Sequence, residues 1–167
     1  MRLIFTKSSL PLSVLIRWFL NSDCSHFAIV FNSEGGGLMF ESNLLGTHPK
    51  FYKTASKHFT VVHDIELKIS PDAENHIWDV IVDQFDGARY NFKGFAYFCW
   101  RAFLLKAFKK PLPKINPWSM PGSYLCEQVF YAFQDLSGEK IAVDLAMISP
   151  EDLYRYVKTW VEDGKLL

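Results

Sequence analysis

Between Phe59 and Ile69 the chain alternates. Val61, His63, Ile65, Leu67 and Ile69 fall on one face, and Thr60, Asp64, Glu66 and Lys68 on the other. A period of two predicts a half-buried strand. Two more β-prone runs, 26–31 and 38–42, flank the Gly-rich stretch 32–37 and predict a hairpin. The short apolar run Leu3 to Phe5 predicts a first strand. Helical spacing takes over elsewhere. Ser70-Pro71 reads as an N-cap followed by a first-turn proline. Ile77, Trp78, Ile81 and Phe85 form the apolar stripe of that helix, and Gly87 ends it. Ser9 to Leu20 predicts a short helix with Pro11 in its first turn, and Phe92 to Phe108 a strongly apolar one stopped by Lys109, Lys110 and the Pro-rich stretch 111–121. Ser123 is expected to cap a helix running to about Leu136, with Gly138 just beyond. Ile141 to Leu145 reads as a short strand, and Ser149 to Asp152 opens a last helix toward Trp160. Strands cluster early and helices late, which favours α+β over a doubly wound α/β sheet.

A length of 167 residues suggests one domain, and 49 % apolar residues suffice for one sizeable core. Eighteen basic residues balance eighteen acidic ones, so no global field draws the chain to nucleic acid, although a local patch is compatible with that balance. The cysteines, Cys24, Cys99 and Cys126, are odd in number and show no CxxC pair. That pattern argues against a disulfide framework and a structural zinc site. It fits a reducing compartment, or one thiol that does chemistry. Pro11 and Arg17 interrupt the apolar start, which has no small-residue cleavage site. The expectation is therefore no signal peptide and cytoplasmic synthesis. No apolar run reaches the roughly 18 residues of a membrane span.

Cys126 falls in the first turn of its expected helix. The partial positive charge and free N–H groups there favour thiolate and offer an oxyanion site. A buried structural cysteine is the competing reading, and Glu127 opposes thiolate formation unless it points away. His26 opens the first hairpin strand, and imidazole is the usual base for a thiol. If Phe31 and Leu38 flank the turn, paired residue numbers sum to about 67–69, and an odd sum puts His26 opposite Glu41 or Asn43 on the same face. A one-residue slip would put Ser42 there instead. Taken alone, Glu41 reads as a solvated carboxylate on an edge strand. Cys24 lies in a loop before the strand. His48, His58 and His76 read as surface residues, and His63 as a satisfied core histidine. A metal site from His26, Glu41 and His63 lacks any supporting spacing, so no metal and no cofactor are expected. Phe92 to Phe108, with Arg101, Lys106, Lys109, Lys110 and Lys114, suits a membrane surface or a lipid-like substrate; a core helix with a basic C-terminus is the favoured reading.

Three segments together resemble a known family. The stretch Ser25-His26 through Val30, the stretch Ala88 to Gly94 around Tyr90, and Tyr124-Leu125-Cys126-Glu127-Gln128-Val129 resemble motifs of circularly permuted NlpC-type papain-like hydrolases, the YiiX-like group. His precedes Cys, the permuted order. Leu3-Ile4-Phe5-Thr6 and Leu15 to Phe19 are similar to small phage and prophage members. The resemblance spans roughly residues 3–135 and departs from the pattern at Glu127 and Gln128, where Ser and Glu are usual. It implies one permuted papain-like domain over residues 1–167, with an antiparallel sheet packed against helices. It also implies a Cys126–His26 pair with Glu41 as third residue, and Tyr90 and Tyr124 at the substrate. The implied reaction is hydrolysis of an amide, with a bacterial cell-wall peptide first in line and a virion-borne role possible for such an enzyme. Lipid acyl hydrolysis or transfer is the alternative, and a catalytically idle binding module a further one. The sequence leaves the oligomeric state open.

Overall fold

The computed structural model describes residues 1–31, 37–133 and 144–164. β1 (Arg2–Lys7), β2 (His26–Phe31), β3 (Leu38–Asn43), β4 (Gly46–Phe51) and β5 (Thr60–Glu66) form an antiparallel sheet in the order β4-β3-β2-β1-β5. Alternation sorts its side chains. Leu3, Phe5, Phe27, Ile29, Phe31 and Phe40 enter the main core, while Ile4, Ala28, Val30 and Met39 form a smaller cluster beneath Tyr52, Ala55, Phe59 and Val61. α3 (Pro71–Phe85) buries Ile77, Ile81 and Phe85 in the main core, and α5 (Pro150–Glu162) buries Leu153, Val157 and Trp160 there. Both begin as the sequence predicts: Ser70 accepts from the Ala73 N–H and Ser149 from the Asp152 N–H. α1 (Pro11–Leu20) and α4 (Phe92–Phe108) pack on each other, and the short helix α2 (Tyr52–Ala55) follows β4 and packs on β3 and β4. The architecture is α+β with an antiparallel sheet.

Four expectations shift. β4 was not foreseen, because Pro49 breaks its pattern; it is tolerated because β4 lies at the sheet edge. Val61 does not share a face with His63 and Ile65. The β1–β5 register slips between Phe5 and Thr6, so Val62 is the extra residue of a bulge and Val61 joins the smaller cluster. Ser123 caps nothing: with Tyr124 it forms β7 (Ser123–Tyr124), parallel to β6 (Arg89–Tyr90). The helical turn starts at Cys126 and is 3₁₀ through Phe130, with 131–133 α-helical. Its predicted end near Leu136 lies outside the described residues, as do the hairpin connection 32–36 and most of the strand expected at 141–145. Leu145 itself belongs to a 3₁₀ turn, Leu145–Met147.

Phe130 joins these layers. It is fully buried, with ring centroids 6.0 Å from Phe27, 5.1 Å from Phe133 and 5.9 Å from Trp160. Phe130→Ala is expected to cost about 3–5 kcal/mol, read as a lowered midpoint in urea unfolding with the slope unchanged.

Candidate active site

The β2–β3 ladder runs from Phe31↔Leu38 to Ile29↔Phe40, with paired numbers summing to 69. Beyond it the 3₁₀ turn that begins at Cys126 packs against both strands. Ser42 Oγ donates to the Tyr124 carbonyl at 2.9 Å, and the Phe27 N–H hydrogen-bonds the Cys126 sulfur. The nucleophile candidate is thereby held at the strand ends where His26 begins. Leu125 caps the turn through its backbone: its N–H donates to Gln128 Oε1 at 2.8 Å.

Extending the ladder places His26 opposite Asn43, with Glu41 as the diagonal neighbour on the same face. The diagonal contact wins. His26 Nε2 lies 2.8 Å from Glu41 Oε2. Asn43 Nδ2 instead donates to the other carboxylate oxygen at 2.6 Å, and Lys50 Nζ does so at 2.7 Å. Glu41 is 7 % exposed and β3 is an interior strand, so the solvated edge carboxylate expected from the bare sequence is not what forms. With Nε2–H donated to Glu41, the proton-accepting atom of the neutral ring is Nδ1. Lys50 was missed along with β4. The signal for it was the short turn at Leu44-Leu45, which brings Lys50 diagonally across from Glu41.

Charge follows from these contacts. Burial opposes ionisation of Glu41, but the His26 hydrogen bond and charge, joined by Lys50, hold its carboxyl well below the usual range. Burial likewise lowers the His26 pKa, yet the hydrogen bond and charge of Glu41, with Glu127 adding, outweigh it and leave the imidazole more basic than usual. Cys126 departs from expectation. Its pKa is pushed well above the ordinary thiol value, first by burial and then by the charge of Glu127, against the lowering effect of the Phe27 N–H. Glu127 does not point away; it accepts a hydrogen bond from the thiol, and burial raises its own pKa. Burial and the Glu127 charge thus favour the neutral thiol of Cys126 over the thiolate that a helix terminus alone would favour. Glu127→Gln is expected to lower the thiol pKa, because it removes the neighbouring negative charge. That would speed iodoacetamide labelling of Cys126 at pH 7.5 by about tenfold per unit, measured by peptide mass spectrometry.

His26, Glu41, Tyr90, Cys126 and Glu127 all line one cleft of about 770 Å³. Burial raises the Tyr90 pKa, and the nearby Glu127 carboxylate adds to the rise. Tyr124 does not line the cleft; its ring packs on Phe85 at 4.6 Å. The cleft places Cys126 apart from the other thiols. Cys24 is fully buried against Ser22 and Glu151, and burial drives its pKa to about 12; burial takes Cys99 to about 11. His63 is half-buried, stacked on Tyr154 at 3.7 Å and 3.6 Å from Glu151. It shares no metal-binding cluster with His26 and Glu41, and no such cluster of three or more occurs among the described residues. His58 and His76 are exposed and His48 half-buried.

No family model, curated protein or solved structure matches the chain.

Proposed function

We propose that the chain is a cysteine-dependent acyl hydrolase with Cys126 as nucleophile, His26 as base and Glu41 as the residue that orients the base. The observation that carries this is the partly buried His26–Glu41 pair, 2.8 Å apart, lining the same cleft as Cys126. Because the thiol rests neutral, its proton leaves as the sulfur attacks. Nδ1 of His26 takes it, and Glu41 stabilises the imidazolium that forms. The sulfur–carbonyl bond forms, the leaving group departs with that proton, and water then releases the acyl group from the thioester. Backbone N–H groups at the start of the Cys126 turn are suited to the oxyanion.

The family resemblance puts wall-peptide amides first among substrates. The cleft favours the second reading, an acyl chain on an ester or amide. Leu10, Leu12, Ile16, Leu45, Phe51 and Phe95 line it, and a hydrophilic wall peptide would leave that lining unused. A panel of p-nitrophenyl esters from acetate to decanoate, run beside soluble wall peptides, separates the two. KM is expected to fall with chain length, by up to about fourfold per buried methylene at roughly 0.8 kcal/mol each. Faster release from wall peptides with no chain-length trend would restore the peptide reading.

A further inference from the structure

α1 is built inside out. Its buried residue is Ser13, whose hydroxyl lies 2.6 Å from that of Ser25, while Val14, Leu15 and Trp18 face solvent. α4 packs on α1 and likewise exposes large apolar side chains. It buries Gly94, Phe98 and Ala102 and exposes Trp100, Phe103 and Phe108. These side chains form one surface. Ring contacts run from Trp18 to Phe19 at 4.9 Å, to Phe103 at 6.3 Å, and on to Trp100 at 5.8 Å and Phe108 at 6.3 Å. Trp18 is 59 % exposed and Phe108 63 %. A water-facing helix normally carries its polar residues here.

The charge of this surface says what covers it. The chain is neutral overall, yet residues 1–22 and 87–126 contain no acidic residue at all. The second stretch holds seven basic ones: Arg89, Lys93, Arg101, Lys106, Lys109, Lys110 and Lys114. α1 and α4 lie wholly within these stretches, and Asp23, exposed just past α1, is the first acid in the chain. Lys106 Nζ sits 3.6 Å from the centre of the Trp18 ring and donates to the Trp18 carbonyl, and Lys109 and Lys110 are exposed beyond Phe108. Aromatic side chains ringed by lysines match the interface of an anionic bilayer, where indole and phenyl rings enter the headgroup boundary and ammonium groups meet phosphates. No helix among the described residues is long and apolar enough to cross a membrane, so the contact is peripheral.

We infer that the α1–α4 face docks this protein onto a lipid surface rich in anionic phospholipid. The inference stands apart from the thiol chemistry, and Cys126→Ala is expected to bind vesicles as the wild type does. Co-sedimentation with phosphatidylcholine vesicles, with and without half phosphatidylglycerol, tests it. The expected result is pelleting with the anionic vesicles, a blue-shifted tryptophan emission, and loss of binding in 0.5 M salt. Lys109→Glu with Lys110→Glu should weaken binding by at least about 30-fold, at roughly 1 kcal/mol per charge removed. Trp18→Ser with Phe103→Ser should weaken it with the charges intact, and circular dichroism shows that both variants are folded. Equal pelleting with neutral and anionic vesicles, or none with either, overturns the inference. So does a dimer in the absence of lipid that Trp18→Ser with Phe103→Ser dissociates, because the face would then belong to a second copy of the chain.

Discussion

Cys126→Ala is expected to lower kcat/KM on a p-nitrophenyl acyl ester by on the order of 10⁴-fold or more, with KM little changed. In the proposed mechanism the thiol is the group that bonds to the substrate, and among the described residues no other cysteine lines the cleft. Cys24 is fully buried and Cys99 does not line the cleft. Cys126 is itself 7 % exposed inside a shell that already contains Phe27 and Val129, so a smaller side chain leaves the fold intact. Equal losses in Cys24→Ala or Cys99→Ala would place the nucleophile elsewhere.

Glu41→Gln is the second large effect, roughly 10²–10⁴-fold in kcat. Gln keeps an acceptor for the His26 N–H but removes the charge that stabilises the imidazolium. The pH profile identifies the cause. His26 must be neutral to accept the proton, and its pKa is raised, so the acid limb of the wild type falls above about 6.5. Without the Glu41 charge the pKa drops, and the limb moves to lower pH.

Stability follows the same pair. Glu41 has a depressed pKa, so its contribution is present above the unfolded value near 4.3 and is lost as pH falls through the folded one. His26 has a raised pKa, so its contribution is present below about 6.5 and is lost as pH rises through the folded value. The wild type should therefore exceed Glu41→Gln in stability most between about pH 4.3 and 6.5. A constant gap across pH would mean that the pair is not ionic.

The part of the site that obeys strand parity was legible in the sequence. His26 opens a β-prone run, and the odd register, one of the two that the sequence left open, puts both candidate partners, Glu41 and Asn43, on its face; the β2–β3 ladder has that register. Choosing between them required side-chain reach, since the diagonal carboxylate bonds the ring and the amide bonds the carboxylate. Lys50 was invisible because β4 carries Pro49 and no alternation, and only its place at the sheet edge makes it a strand. The bulge at Val62 was equally hidden, since a period of two continues on paper where the ladder slips. At Cys126 the sequence suggested a helix capped by Ser123, but pairing of Tyr90 with Tyr124 delays the turn until Cys126. Cys126 still lies in the first turn, and the neighbouring Glu127, with burial, works against the thiolate that the dipole favours. The pattern gives α1 as a helix, but its exposed apolar stripe follows from the packing, in which Ser13 points inward.

The most direct measurement is the mass of the protein after a brief reaction with p-nitrophenyl octanoate, with the modified residue located by peptide mapping. The expected result is a single octanoyl thioester on Cys126, absent in Cys126→Ala and formed at least about 10²-fold more slowly in His26→Ala. Acylation at Cys24 or Cys99, or at Cys126 at the same rate without His26, would contradict it.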